Sequence, residues 1–149
     1  STKIGKPTVS AAGALIAALE VFGAKRIALV TPYPQSLNDK ERAFFAENGI
    51  EVMEDESIIV HESQMQFKNM NKVPAELLVE RATALGGRDD VDAVVLSCCD
   101  MPTLDAIPRI ETAIGKPVTS SVQALFWSAT RAAGITERTK GKGRLLAEY

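Results

Sequence analysis

Residues 91–120 read VDAVVLSCCDMPTLDAIPRIETAIGKPVTS and predict a strand, a helix and a second strand in succession. The run at 91–97 is apolar and β-branched, as buried strands of parallel sheets are. The stretch 102–115 has the apolar spacing of a helix that bends or breaks near Pro108, and 116–120 forms a short strand. This succession is typical of a βαβ crossover, so the chain is expected to contain a parallel sheet.

The same alternation continues through the rest of the chain. Further strands are predicted at 26–33 and 50–60, and residues 61–73, rich in Asn, Gln and Lys, have the length of a binding loop or lid. The remaining periodic stretches predict helices at 8–24, 37–49, 74–87 and 121–134. The predicted fold class is therefore α/β, a doubly wound parallel sheet with helices on both faces.

Short polar side chains stand where three of these helices are expected to begin. Ser36 is followed three residues later by an acid, as in a shortened capping box, and is the expected N-cap of the helix at 37–49. Thr8 or Ser10 is expected to cap the first helix, and Ser120 or Ser121 the helix that follows them.

The composition limits the class of protein. A chain of 149 residues with 46% hydrophobic residues is long enough for one core, and a net charge of −2 gives no electrostatic reason to bind nucleic acid. No apolar run approaches the roughly 20 residues that span a bilayer, and the first residues do not resemble a secretory signal. We therefore expect a cytoplasmic protein with neither a nucleic acid nor a membrane as partner.

The chain has two cysteines and one histidine, which restricts disulfide, metal and cofactor chemistry. Cys98 and Cys99 are adjacent and could pair only as a strained vicinal disulfide. The lone histidine, His61, has no Cys/His ligand spacing around it, so no metal is expected. No Gly-x-Gly-x-x-Gly motif or Walker loop follows a predicted strand, which disfavours dinucleotides and nucleoside triphosphates.

Three polar turns follow predicted strands: TPY at 31–33, SCCD at 97–100 and TSS at 119–121. The carboxyl ends of parallel strands meet at one edge of the sheet, where ligands of doubly wound folds bind. Each turn is predicted to open a helix, whose free amides and positive dipole end favour an anion. The sequence therefore predicts a small anionic ligand at this edge.

Cys98 is the candidate nucleophile or proton carrier of this edge. A predicted helix start would lower the pKa of its thiol, and Cys98 is expected to face the crevice while Cys99 turns toward the protein body. The alternative is that both cysteines are small buried hydrophobes. Tyr33 is either a hydrogen-bond donor to a substrate oxygen or an ordinary rim tyrosine. Asn69 and Asn71 either contact the substrate from the loop or are simply solvated.

The segments LSCCDMPTLDAIPRIE (96–111), GKPVTSSVQALFWSATRAAGI (115–135), GKGRLL (141–146) and AKRIALVTPY (24–33) together resemble the aspartate/glutamate racemase superfamily. The resemblance extends over nearly the whole chain and is greatest to the branch of maleate cis-trans isomerases and arylmalonate decarboxylases. It implies a cofactor-independent enzyme of two similar α/β lobes that hold a small dicarboxylate between them.

The resemblance also implies roles for individual residues. Cys98 matches the catalytic cysteine of the second lobe, and Tyr33 matches a tyrosine that helps to bind the substrate carboxylate. The serines at 120 and 121 match a polar turn at the site. The substrate-binding residues are thus expected to be Thr31, Tyr33, Ser97, Cys99, Asp100, Ser120 and Ser121.

The reaction is less determined than the family. Maleate isomerases tend to read Cys-x-Gln-Met-Pro where this chain reads Cys-Cys-Asp-Met-Pro at 98–102, whereas decarboxylases favour glycines after the cysteine. The TLDAIP at 103–108 is nonetheless very like a decarboxylase. A maleate isomerase is the first hypothesis, an arylmalonate decarboxylase or an aspartate/glutamate racemase the second, and an inactive fragment or small-anion binding module the third.

The length implies only one lobe. Residues 1–134 are expected to form the α/β lobe, and 135–149 a tail that packs on a missing first lobe or a partner. We expect that sequence before Ser1 has been lost or omitted. The alternative is a half-size relative that builds its crevice as a homo-oligomer.

Overall fold

The fold is a parallel β-sheet flanked by helices, in a computed structural model that describes residues 8–58 and 67–149, without the side chains of 67–69. Its four strands are β1 (Arg26–Thr31), β2 (Glu51–Ser57), β3 (Ala93–Leu96) and β4 (Val118–Ser120). They are all parallel, in the order β2-β1-β3-β4. The predicted doubly wound α/β fold is thereby confirmed.

The helices lie in two layers. They are α1 (Ala11–Phe22), α2 (Gln35–Glu47), α3 (Ala75–Gly86), α4 (Ile107–Ile114), α5 (Ser121–Ala132) and α6 (Arg144–Glu148), with a 3-10 helix at Phe67–Lys72. Side chains of α1, α2, α5 and α6 pack on one face of the sheet, and those of α3 and α4 pack on the other. In the described ranges, no helix is both long and apolar enough to cross a membrane.

Strand alternation divides the core into two clusters. In β3, Ala93 and Val95 belong to the cluster under α1 and α5, whereas Val94 and Leu96 belong to the cluster under α3 and α4. All four are fully buried. Because successive strand side chains point to opposite faces, a strand buried on both faces must be apolar throughout. This accounts for the unbroken apolar run that predicted β3.

Two of the predicted helix caps are confirmed and one is wrong. Ser10 Oγ accepts from the Gly13 amide at 3.1 Å, and Ser120 Oγ accepts from the Gln123 amide at 3.3 Å. Ser36 is not a cap, because α2 begins one residue before it and Pro34 is the N-cap residue. The fixed φ of Pro34, −67° in an extended conformation, sets the chain direction into the helix.

The predicted helix at 102–115 is too long. Helix α4 begins at Ile107, with Pro108 in its first turn, where a missing N–H costs nothing. The preceding residues form turns held by bonds from the Thr103 amide to the Met101 carbonyl (2.9 Å) and from the Ala106 amide to the Thr103 carbonyl (3.0 Å). Proline therefore starts the helix here and does not bend it. The cysteines at 98 and 99 consequently do not stand at a helix N-terminus.

The predicted loop at 61–73 is only partly described. Residues 61–66 lie outside the described residues. Residues 67–72 form the 3-10 helix, which corrects the prediction of a loop for that half.

The C-terminal helix packs on this lobe. Leu145 and Leu146 are buried in the cluster under α1 and α5. The Glu111 carboxylate fastens the start of α6, because it accepts from the Arg144 amide at 3.0 and 3.1 Å and from the Val118 amide at 3.1 Å. The expected contact of the 135–149 tail with a first lobe or partner stays a prediction, and it falls on the exposed residues before α6.

Gly143 has too little space for a side chain. Its φ is +91°, and a Cβ there would lie 2.5 Å from Ile107 Cγ2 and 2.7 Å from Gln123 Nε2. Gly141 also has a positive φ of +75° but has nothing within 4 Å of the same position. Alanine is therefore opposed at Gly141 by the positive φ alone, and at Gly143 by crowding and by a backbone conformation (φ +91°, ψ 162°) that essentially only glycine adopts.

We expect Gly141→Ala to lower the free energy of unfolding by about 1 to 2 kcal/mol through its left-handed backbone. Gly143→Ala should cost roughly 1 to 3 kcal/mol more, because its methyl group overpacks the joint between α4, α5 and α6. Urea unfolding of both variants measures this difference. Equal losses would mean that the tail does not pack here.

Asp92 ties the start of β1 to the start of β3. Its Oδ2 accepts from the amides of Lys25 (3.1 Å) and Arg26 (2.9 Å), and its Oδ1 accepts from Arg26 Nη2 at 2.7 Å. The Arg26 guanidinium, followed by these amides, lowers the pKa of Asp92 to about 2. The folded protein therefore prefers the ionised carboxylate.

Because the folded pKa is depressed, the stabilisation is present above the unfolded value near 4 and is lost as the pH falls through about 2. Asp92→Asn should lower the free energy of unfolding at neutral pH by roughly 1 kcal/mol, since Arg26 is half exposed and screened. The difference from wild type should vanish near pH 2 in urea unfolding. Asp89→Asn, at an exposed position nearby, is the control; a deficit for Asp92→Asn that persists near pH 2 would contradict this assignment.

Candidate active site

The candidate site lies where the strand order reverses. From β1 the chain continues to β2 on one side, while β3 pairs with β1 on the other side. Such a switch point leaves a crevice beyond the carboxyl ends of the two central strands. The turn at 31–33 and the turn at 97–100 meet there, as predicted.

The alternation of β3 continues past its last residue and separates Ser97 from Cys98. Ser97 follows the face of α2, where its Oγ donates to Glu41 Oε1 at 2.9 Å. Cys98 follows the opposite face and belongs to the cluster under α3 and α4. The side chains of these two neighbouring residues therefore lie on opposite faces of the sheet.

Cys98 is buried, which corrects the expectation that it faces an open crevice. It is 5% exposed, and its Sγ lies 3.7 Å from Met70 Sδ. The Asp100 amide donates to the same sulfur at 3.4 Å, and the Tyr33 side chain packs against the cluster that contains Cys98. One turn amide and one phenol therefore take the place of the helix N-terminus that the sequence predicted.

Tyr33 connects the two sides of the site. Burial is the main cause that raises the pKa of its phenol, followed by the interaction with Cys98. The phenol therefore keeps its proton at neutral pH and remains a hydrogen-bond donor. Its ring also lines the pocket described below.

Cys99 is exposed, which corrects the expectation that it turns toward the protein body. Partial burial raises the pKa of its thiol, and the neighbouring Cys98 and Asp100 add to the rise. The strand alternation stops after Cys98, and Cys99 lies in the turn that follows. Cys99 is the more accessible thiol of the pair.

Two predicted substrate-binding residues are occupied by internal hydrogen bonds. Thr31 is fully buried; its hydroxyl donates to Asn38 Oδ1 at 2.6 Å and accepts from the Tyr33 amide at 3.1 Å. Ser120 is also fully buried and accepts from Thr103 Oγ1 at 2.7 Å besides capping α5. Both residues shape the turns, and their contact with substrate stays a prediction.

The other predicted substrate-binding residues differ in their burial and contacts. Ser121 is nearly buried but lines the pocket, and Asp100 is exposed and contributes its amide to Cys98. Asn71 is exposed on the 3-10 helix. The side chain of Asn69 lies outside the described residues, so its contact with substrate stays a prediction.

A pocket of about 510 Å³ opens at this edge, between the first turns of α1 and the inner face of α2. Apolar side chains form most of its wall, with a few polar groups among them, as in small-molecule sites generally. It is lined by Ala11, Ala12, Leu15, Tyr33, Leu37, Lys40, Glu41, Phe44, Phe45, Ser97, Cys99 and Ser121.

Two polar residues of α2 belong to this region and were not predicted from the sequence. Asn38 is fully buried and donates to Asp55 Oδ2 at 3.0 Å, and Glu41, one turn later, bonds Ser97. Their spacing of three residues on a helix whose apolar residues share that face was the available signal.

In the described part of the chain, no group of three His, Cys, Asp or Glu side chains could hold a metal ion.

Comparison with known proteins gives a consistent family. The family model described as arylmalonate decarboxylase matches residues 1–146. A maleate isomerase of Alcaligenes faecalis is 34% identical over 142 residues, which are 95% of this chain and 54% of that protein. An arylmalonate decarboxylase of Bordetella bronchiseptica is 34% identical over 146 residues, 97% of this chain and 59% of that protein.

A solved structure agrees. The maleate cis-trans isomerase of Nocardia farcinica, as a cysteine-to-serine mutant with a covalently bound succinylcysteine intermediate, superposes with a TM-score of 0.79 at 30% identity. The match covers 94% of this chain and 56% of that one. The chain thus spans little more than half the length of these relatives. Since the family model matches nearly all of its residues, the chain belongs to the arylmalonate decarboxylase family.

Proposed function

We propose that this chain carries the second-lobe half of a cofactor-independent, cysteine-based isomerase active site for a small dicarboxylate of the maleate type. The observation that supports it is the cluster at the ends of β1 and β3. There the Asp100 amide donates to the Cys98 sulfur at 3.4 Å, and the Tyr33 phenol lies beside the thiol and interacts with it electrostatically. Both groups are donors, so they stabilise negative charge on sulfur or on a substrate oxygen that replaces it.

The reaction needs no cofactor. One thiolate, that of Cys98 or of a cysteine on the first lobe, adds through sulfur to one alkene carbon of the cis dicarboxylate, and the other thiol gives its proton to the second carbon. The former double bond is then a single bond and rotates. Removal of a proton from carbon re-forms the alkene, now trans, as the carbon–sulfur bond breaks and the thiol is restored.

The residues of this chain have separate tasks in these steps. The Tyr33 hydroxyl holds a substrate carboxylate and the enediolate-like charge that develops on it during addition. The Asp100 amide keeps the sulfur oriented. The succinylcysteine of the Nocardia enzyme is the addition product of such a reaction, with both former alkene carbons saturated.

A facing wall with a second thiol is assigned to the first lobe that the family resemblance implies. Either Cys98 or that counterpart is the nucleophile, and the other moves the proton. The proposed ligand of this half-site is a small dicarboxylate. The proposed protein partner is a first lobe, which either the same polypeptide or another copy supplies.

The second candidate is a malonate decarboxylase. The 34% identity to the Bordetella enzyme supports it as strongly as the isomerase matches support the first. Cys98 would then act only as the acid that protonates the enediolate left by loss of carbon dioxide. Release of carbon dioxide from a malonate, fumarate formation from maleate and deuterium uptake at an amino-acid Cα separate decarboxylase, isomerase and racemase.

Incubation with maleate should add one succinyl group to the chain, on Cys98, because only that thiol has the two donors beside it. Mass spectrometry of tryptic peptides, with proton NMR of any fumarate formed, measures this. Cys98→Ser should abolish both signals, and Cys99→Ser is the matched control that should retain them. A succinyl group confined to the exposed Cys99 would make Cys98 a structural residue, and binding without adduct or turnover would favour an anion-binding module.

Tyr33→Phe should slow succinyl addition about a hundredfold, because one preorganised donor to the developing charge is removed. The chain has one other tyrosine, Tyr149, whose ring packs on Phe22. Tyr149→Phe should leave the rate unchanged. Equal rates for the two variants would exclude the phenol from the reaction.

A further inference from the structure

The Glu41 carboxyl has one oxygen bonded to the protein and one directed at no protein donor. Its Oε1 accepts from Ser97 Oγ at 2.9 Å. Its Oε2 is buried and has no hydrogen-bond partner among the described residues. Buried polar atoms are nearly always paired, so this oxygen is suited to a ligand atom.

Glu41 is also close to the proposed reaction centre. It lines the pocket together with Tyr33, which packs against the cluster that contains Cys98, and it is hydrogen-bonded to Ser97, the residue that precedes Cys98. Tyr33 therefore belongs both to the pocket and to the surroundings of the thiol. A ligand carboxylate held by Tyr33 comes next to Glu41.

No cation neutralises Glu41 within the described residues. On α2 itself, Lys40 lines the pocket, and Arg42 is paired with Asp55 at 2.6 Å. The titratable groups facing it are the Tyr33 phenol from the turn after β1 and the Cys99 thiol from the turn after β3. Helix α1 contributes Ala11, Ala12 and Leu15, and α5 contributes Ser121.

This environment favours the uncharged acid. Burial is the largest cause acting on the pKa of Glu41 and raises it, while the Ser97 hydrogen bond opposes the rise. A protonated carboxyl has an O–H to donate, whereas an ionised one only accepts. An ionised Glu41 would also repel a dianionic ligand in the same pocket.

We propose that Glu41 binds the substrate as an uncharged acid, with its Oε2–H donating a hydrogen bond to one carboxylate of the dicarboxylate. The inference rests on the proposed function, which places a dicarboxylate at this edge of the sheet. Glu41 is then a specificity-determining residue. It admits the dianion only while it holds its proton, so affinity falls as the pH rises, by at most about tenfold per pH unit for one linked proton.

The test uses the full chain and succinate, a saturated dicarboxylate that cannot react with thiols. Dissociation constants are measured by NMR titration at pH values above about 6.5, where both carboxyls of succinate are ionised and only the protein can titrate. Glu41→Gln keeps a donor but cannot ionise, so its affinity should stay constant with pH. Glu41→Leu should bind on the order of tenfold more weakly at the acidic end through loss of the hydrogen bond.

Glu47→Gln, an exposed substitution on the same helix, is the control and should follow the wild-type pH curve. A Glu41→Gln curve that also follows wild type, or no succinate binding at any pH, overturns the inference. If succinyl addition occurs at Cys98 but Glu41→Gln binds succinate with the pH dependence of wild type, the proposed function stands and the inference about Glu41 fails. A flat Glu41→Gln curve without any chemistry at Cys98 would keep the Glu41 contact and reject the isomerase.

Discussion

The parallel pairing of β1 with β3 is the constraint on which the site depends. It sets Val30 beside Leu96, and the Ser97 amide then donates to the Val30 carbonyl at 2.9 Å, one step beyond the regular strand. This last bond holds the two turns side by side, so that a phenol and a thiol 65 positions apart in sequence lie close to each other. Asp92 fixes the same two strands at their opposite ends, which keeps the register from slipping.

The strands and most helices could be predicted because their signals are local. Buried parallel strands read as apolar runs, and Ser10 and Ser120 cap helices through bonds that reach only three residues. The prediction of one helix over 102–115 was wrong because the sequence pattern does not show whether Pro108 stands in a first turn or in a helix interior. A proline is tolerated in a first turn and disruptive in an interior, and only the turn at 101–106 shows which applies to Pro108.

The location of the site could be predicted from the sequence better than the contacts between its side chains. Parallel topology brought the right turns together, but which of two adjacent cysteines is inward depends on where strand alternation stops. It stops after Cys98, so Cys99 is the exposed one. Thr31 and Ser120 are polar residues at strand ends that bond to Asn38 and Thr103, partners which no local spacing reveals.

Tyr33 gives the two sides of the sheet a common element. A buried thiol on one side and a pocket with an acid on the other would be unrelated features if no side chain joined them. Tyr33 lines the pocket and also packs against the cluster that contains Cys98, so a carboxylate bound to the phenol lies near both Cys98 and Glu41. In the proposed reaction the ligand gains negative charge as the sulfur adds, and hydrogen-bond donors around the sulfur together with an uncharged Glu41 would favour that species.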